Sequence, residues 1–259
     1  TDILNVTNSG AALGTPVSIP IPPFQPAPMA VQPNGIQPLA NGSRISGNVV
    51  QVGNSIWAAH AVLDTVSGNS AIRWYEIDEP TNTLSQTGLI SDANLDFLDA
   101  SISVNNRGDV VIGFTGTGLT QFPSSYIAVG QTVAGITAFR PTLLVESGLD
   151  TYLILDGSGR NRWGDYSATV VDPTDDSRFW SFQEIVASQD IWGIQISEIL
   201  VGAAPIPAPT NPPLPTAPLG DIILGGSGND TIVGDAGDDT INGGDGNDSI
   251  IANNGADSL

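Results

Sequence analysis

Between Leu219 and Leu259 the sequence repeats every nine residues, and this period constrains the fold more than any other feature. Asp recurs at Asp221, Asp230, Asp239, Asp248 and Asp257. Two residues after each Asp stands an aliphatic side chain: Ile223, Ile232, Ile241, Ile250 and Leu259. Two residues before the last four stands Gly: Gly228, Gly237, Gly246 and Gly255. The unit is Gly-Gly-x-Gly-x-Asp-x-aliphatic-x, which Gly225 to Val233 (GGSGNDTIV) fits fully. An acidic, Gly-rich disordered tail would have no reason to keep its aliphatic residues in register with its Asp.

The spacing suits a cation. Glycine permits left-handed backbone and close approach, which frees carbonyl groups to face an ion. Calcium takes about six to eight oxygens, mostly from carboxylates and backbone carbonyls. The aliphatic residue falls on a short strand and points inward.

These residues resemble the RTX nonapeptide repeat, a calcium-binding parallel β-roll of proteins exported by Gram-negative bacteria and cyanobacteria. The resemblance implies that each nonapeptide is half a turn, so loops on one edge recur every eighteen residues. Asp221, Asp239 and Asp257 would then share one edge, and Asp230 and Asp248 the other. Strands in such a stack are roughly 4.8 Å apart. Two carboxylates at about 5 Å repel by roughly 0.8 kcal/mol even in bulk water, so the stack needs cations to close, roughly two or three of them. The metal-site residues implied are Asp221, Gly226, Gly228, Asp230, Asp235, Gly237, Asp239, Gly244, Gly246, Asp248, Gly255 and Asp257. The pattern degrades at both ends: Leu219 stands where a Gly is expected, and Ala252-Asn253 replace the last Gly pair. Within it, Asp235 replaces a second Gly.

Charge agrees with a divalent-cation binder. The 259 residues carry 27 acidic side chains against seven Arg and no Lys, a net charge of −20. Nucleic acid is excluded as a partner, because phosphate binding rests on Lys and Arg. No apolar run is long enough to span a bilayer, so no membrane insertion is expected. The absence of Cys excludes disulfides, thiolate catalysis and Cys-type zinc sites. A single His excludes a multi-histidine site. The sequence opens without Met and closes in mid-repeat, which suggests a piece of a longer or processed protein.

Upstream the expectation is all-β. Residues 1–40 read as an extended Pro-rich segment, with an edge strand at Val17-Ser18-Ile19. From 41 to 202 short strands rich in Val, Ile, Thr and aromatics alternate with Gly, Asn and Asp turns. Hairpins are expected in Val49 to Val62, Ser101 to Gly116 and Ser167 to Val186. Further strands are expected at Ala71 to Ile77, Thr83 to Ile90, Tyr126 to Val133, Thr142 to Glu146 and Trp192 to Val201. Repeated units of about fifty residues and four strands indicate propeller blades. The run Asn161 to Pro173 followed by Phe179-Trp180 resembles bacterial exported β-propellers, distantly sialidase-like. Three blades are clear, which leaves open an incomplete propeller, a ring completed by another chain, or a sandwich. Residues 203–218, with seven Pro, read as a semi-rigid linker before the β-roll of 219–259.

Candidate catalytic groups upstream are few. His60 lies inside a strand, without a nucleophile elbow to serve, and reads as structural or channel-facing. Arg162-Trp163-Gly164-Asp165 could line a sugar site with Trp163 as the stacking face, or fix a loop through an Arg–Asp pair; Asp165 could also ligate calcium. Arg73, Arg140, Arg162, Tyr75 and Glu76 supply the residue types of a sialidase but not its spacing. Glu76, Asp78, Glu79, Glu184 and Glu198 could supply a glycosidase acid pair. The reading is a non-catalytic, secreted calcium-binding protein of a Gram-negative or cyanobacterial surface. Its β domain would bind or scaffold extracellular glycan or surface matrix, with self-association open. The alternatives are a secreted glycan hydrolase and a filament or sheath subunit.

Overall fold

The computed structural model describes residues 3–7, 10–13, 16–45, 47–164, 167–202, 222–224, 231–233, 240–242, 246–252 and 256–258. The chain divides into two compact units, Thr1–Ala208 and Pro209–Leu259. The linker expected at 203–218 lies outside the described residues.

Among the described residues the first unit is all-β apart from a 3-10 turn at Pro33–Gly35. It opens with a hairpin, β1 (Ile3–Thr7) and β2 (Gly10–Leu13). Residues 16–25 form no strand, which corrects the edge strand expected at Val17–Ile19. The prolines that flank that tripeptide, Pro16 and Pro20, withhold the N–H groups a ladder needs.

Three antiparallel sheets follow. Sheet I is a meander of β3 (Val50–Val52), β4 (Ser55–Leu63), β5 (Ser70–Asp78) and β6 (Thr83–Ile90). Sheet II holds β7 (Leu95–Val104), β8 (Asp109–Gly118), β9 (Ser124–Val133), β10 (Ile136–Phe139) and β11 (Leu143–Glu146). Both β10 and β11 pair with β9, one at each end of its outer edge. Sheet III is β12 (Ala168–Asp172), β13 (Asp175–Ser188) and β14 (Ile191–Leu200).

The sheets stack in chain order, with sheet II in the middle. Its strand β8 is buried along its whole length, as expected of a strand covered on both faces. The layer between sheets I and II is apolar: Trp57, Trp74, Phe97, Ile112, Phe114 and Tyr126 belong to one core. Phe97 and Phe114 lie 4.6 Å apart by ring centre. The layer between sheets II and III is mixed. Val111 and Ile127 meet Phe179 and Ile199. Beside them Ser101 Oγ and Thr169 Oγ1 are 2.8 Å apart, Ser167 Oγ donates to Ser101 at 2.7 Å, and Gln183 Nε2 donates to Ser181 at 3.0 Å. Gly113 makes room for this cluster, since a Cβ there would meet Gln183 and Ser181.

Residues 22–26 run along the free edge and part of the outer face of sheet I. Pro26 bridges to Val62, and the Leu63 N–H donates to the Gln25 carbonyl at 3.0 Å. Arg73 Nη1 donates to the Pro23 carbonyl at 3.1 Å. The described residues do not close a ring of sheets.

The described residues of the second unit include the short strands β15 (Ile222–Leu224), β16 (Thr231–Val233), β17 (Thr240–Asn242) and β18 (Ser249–Ile251). They pair in parallel and alternately, β15 with β17 and β16 with β18.

Candidate calcium site

Each strand of the second unit begins one residue after a repeat Asp, so the strand register is also the register of the Asp ladder. Ile223 pairs with Ile241, and Ile232 with Ile250, each eighteen residues apart. The Ile241 N–H donates to the Ser258 carbonyl at 2.8 Å, which carries the same step one level further. Ile241 is only 2% exposed, as an inward-pointing repeat residue should be, while its neighbour Asn242 is exposed. Successive residues of a strand face opposite ways, so a nine-residue unit with one strand turns one aliphatic side chain inward per repeat.

Of the residues expected to ligate, Gly246, Asp248 and Asp257 are described. Gly246 has φ 145, a backbone that glycine adopts readily and other residues do not. Asp248 and Asp257 are half-buried and stand directly before Ser249 and Ser258, at the heads of their strand positions. Asp221, Gly226, Gly228, Asp230, Asp235, Gly237, Asp239, Gly244 and Gly255 lie outside the described residues. The donor chemistry fits calcium: carboxylates and carbonyls from Gly-rich turns, with neither sulfur nor imidazole among the donors. Among the described residues no group of three or more His, Asp or Glu gathers as a metal site.

The candidate catalytic residues described in the upstream unit lie on different sheets. His60 is buried on β4. Its Nδ1 lies 2.9 Å from the Ser43 carbonyl, which can only accept, so Nδ1 carries the proton and Nε2 accepts from the Tyr75 hydroxyl at 2.8 Å. Phe24 closes edge-on at 4.8 Å. Burial lowers the His60 pKa, the Ser43 carbonyl opposing this and Arg73 adding to it. His60 is therefore a structural histidine. Tyr75 and Glu76 are neighbours on β5 and face opposite sides of the sheet; Glu76 accepts from Ser55 Oγ at 2.6 Å. Glu76 and Asp78 lie on β5 of sheet I and Glu79 in the turn after it, and Glu184 and Glu198 lie in sheet III, with sheet II between them. Glu198 pairs with Arg178 at 2.7 Å.

Trp163 does not offer a stacking face. It is 5% exposed, packs edge-on against Tyr152 at 5.0 Å and donates from Nε1 to Thr115 Oγ1 at 3.3 Å. This corrects the sugar-stacking expectation; Asp165 lies outside the described residues. Beside Trp163 a polar cavity of about 540 Å³ is lined by Asn41, Ser43, Arg44, Asp99, Arg160 and Arg162. Arg44, Asp99 and Arg160 were not foreseen. Asp99 has φ 53 and sits where the β7–β8 register shifts between Leu98 and Ser101; a lone Asp inside an apolar run was the one signal of that bulge in the sequence. Arg140 lies elsewhere, in an apolar cavity of about 390 Å³ with Ile127, Leu143 and Ile199.

The C-terminal geometry is that of a nonapeptide repeat whose described strands pair in parallel eighteen residues apart. Residues 221–259 match the family of the RTX calcium-binding nonapeptide repeat over four copies. No curated protein matches the chain. Among solved structures, a crystal structure of a protein of unknown function from Dyadobacter fermentans DSM 18053 is similar at 15% identity with a TM-score of 0.33. That alignment covers 71% of this chain and 60% of the other. Among the described residues no helix is long and apolar enough to cross a membrane.

Proposed function

We propose that this is a secreted calcium-binding protein in which the RTX repeats form a short β-roll and residues 41–202 form a β-propeller-like binding or scaffolding module. It would act at a Gram-negative or cyanobacterial surface or in extracellular matrix. The observation that carries the calcium reading is the parallel pairing of strands eighteen residues apart, which repeats the Asp spacing strand for strand. The ligands proposed are the repeat Asp carboxylates at 221, 230, 239, 248 and 257 with carbonyls of the Gly-rich turns. Calcium is scarce inside cells and abundant outside, so repeats that repel until an ion binds stay open during export and close after it. Ion-binding free energy then becomes folding free energy. For the upstream module, three meander-like sheets in chain order support propeller blades, and the polar cavity at Arg44, Asp99 and Arg162 suits hydroxyl- and carboxylate-bearing glycans.

Calcium titration of the whole chain, followed by calorimetry and far-UV circular dichroism, tests this. We expect roughly two or three ions to bind with a gain of β signal, and magnesium to substitute poorly because it dehydrates reluctantly. Asp239→Asn and Asp248→Asn should each lower the stoichiometry or the affinity. No binding at millimolar calcium would sink the assignment.

A further inference from the structure

Seven Arg stand against 27 acidic side chains, so a guanidinium without an acidic partner is unexpected. Arg73 donates to a backbone carbonyl, and Arg107, Arg160 and Arg178 pair with carboxylates. Arg162 is also engaged. Among the described residues, only the side chains of Arg44 and Arg140 make no hydrogen bond or ion pair. Arg44 lines the polar cavity of about 540 Å³, and Arg160 and Arg162 join it there. Three of the seven Arg thus surround one hollow in a chain of net charge −20, a local reversal of the protein's field. The walls of this hollow are fixed from within. The Ala40 N–H donates to the Asn161 carbonyl at 2.7 Å, and Leu39 bridges to Asn161. Asn161 is fully buried and donates from Nδ2 to the carbonyls of Gln37 at 2.9 Å and Tyr152 at 2.7 Å. Asn161 and Trp163 are buried while Arg160 and Arg162 are exposed, the alternation of an extended chain that turns both Arg to one side. On the other segment Asn41 Nδ2 donates to Ser70 Oγ at 2.7 Å, and Ser43 Oγ accepts the Ala27 N–H at 2.7 Å, so Arg44 springs from a pinned backbone. Asp99 reaches the cavity from its bulge in β7, close enough to Gly164 that a Cβ there would meet its carboxylate.

We infer that this cavity binds a sugar acid of the uronate type, with its carboxylate on Arg44 beside Arg162 and its hydroxyls toward Asp99. The inference rests on the reading of the upstream unit as a binding module and names the ligand of that module. Guanidinium groups call for an oxyanion. Asp99 then selects among oxyanions. Sulfate can only accept hydrogen bonds and meets the carboxylate with repulsion, whereas a ligand with hydroxyls beside its charge donates to it. A neutral sugar would have to gain its affinity by stacking on an aromatic face, and Trp163, the aromatic residue of the lining, is buried. Ionic contacts must supply that affinity instead. Size agrees, since about 540 Å³ lies within the roughly 300–1,000 Å³ of small-molecule sites. A long polyanion would meet the net charge of −20 beyond the rim, which leaves a single uronate, free or at the end of a polysaccharide.

Calorimetry and saturation-transfer NMR of the full chain in calcium test it, with sodium galacturonate, its methyl ester, sulfate and oligogalacturonate as probes. We expect galacturonate to bind with an affinity that falls as salt is added, and the ester and sulfate to bind at least tenfold more weakly. Oligogalacturonate bound as well as the monomer would support a polysaccharide end as the source, and monomer binding alone a free sugar acid. Arg44→Met removes the charge of an exposed side chain and should weaken galacturonate binding at least tenfold with unchanged far-UV dichroism. Arg140→Met, at the apolar cavity, should leave binding intact. Asp99→Asn keeps a residue type that tolerates φ 53 and should narrow the preference for galacturonate over sulfate. No galacturonate binding, an ester or sulfate bound as tightly, an unaffected Arg44→Met protein, or equal weakening by Arg140→Met would each overturn the inference. Calcium binding retained alongside any of these results would leave the calcium reading in place, so the two fail separately.

Discussion

His60 shows how one buried ring can govern pH behaviour in a chain otherwise dominated by carboxylates. The fold holds the ring neutral between an acceptor and a donor, and burial lowers its pKa from 6.5. As pH falls through 6.5 the unfolded chain takes up the proton first. Stability therefore drops in that window and levels off once the folded ring is also protonated. His60→Gln should flatten the slope of unfolding free energy against pH just below 6.5; an unchanged slope would assign it to another group. Asp172 works in the opposite range. Trp180 Nε1 and Thr174 hold its pKa well below the usual 3.8, so its contribution is present above that value and fades as pH falls further. Acid unfolding governed by Asp172 should accordingly begin below about pH 4, and Asp172→Asn should make the urea midpoint less sensitive to acid there. Gly113 is a steric counterpart to these titrating groups. An added methyl would land on Ser181 Oγ and Gln183 Nε2 inside a layer with no spare room. Gly113→Ala should cost about 1–3 kcal/mol in urea unfolding, and a neutral outcome would mean that the layer between sheets II and III yields more easily than its hydrogen bonds suggest.

Within the elements, alternation and turn residues account for most of what the sequence disclosed. Strands β4 to β9 and β12 to β14 stand where runs of Val, Ile, Thr and aromatics were bounded by Gly, Asn and Asp. Strand β10 was missed because its hairpin turns through Ala134 and Gly135, at φ 51 and 80, and Ala is not a residue that announces a left-handed turn. The β1–β2 hairpin was hidden by the prolines that begin at Pro16. Nor could composition disclose that β11 returns to β9 rather than adding outside β10, since register depends on packing partners far away in sequence. The repeats were legible in more depth, because a fixed period ties each Asp to each inward Ile. That link is testable: Ile241→Ala should destabilise the second unit by about 2–5 kcal/mol and weaken calcium binding although no ligand is removed. Unaltered calcium affinity would separate the aliphatic ladder from the ion sites.

At the scale of the molecule, the two units have different grounds for stability, and the distribution of tryptophan makes the difference measurable. The upstream unit has aromatic packing between sheets I and II and a hydrogen-bonded layer between sheets II and III. The repeat unit has one Ile or Leu two residues after each repeat Asp and a high density of acid, with eight Asp from Asp221 to Asp257 and no basic residue. All five Trp, at positions 57, 74, 163, 180 and 192, lie in the first unit. Tryptophan fluorescence therefore follows the upstream unit alone, while far-UV dichroism follows both. A ligand that binds only the folded form adds about 2.7 kcal/mol per site at a hundredfold excess over its dissociation constant. Calcium should then shift a dichroism transition upward by many degrees while the fluorescence transition stays in place, and chelator should reverse the shift. If both signals move together, the units fold as one, and calcium bound at the repeats also stabilises the sheets that precede them.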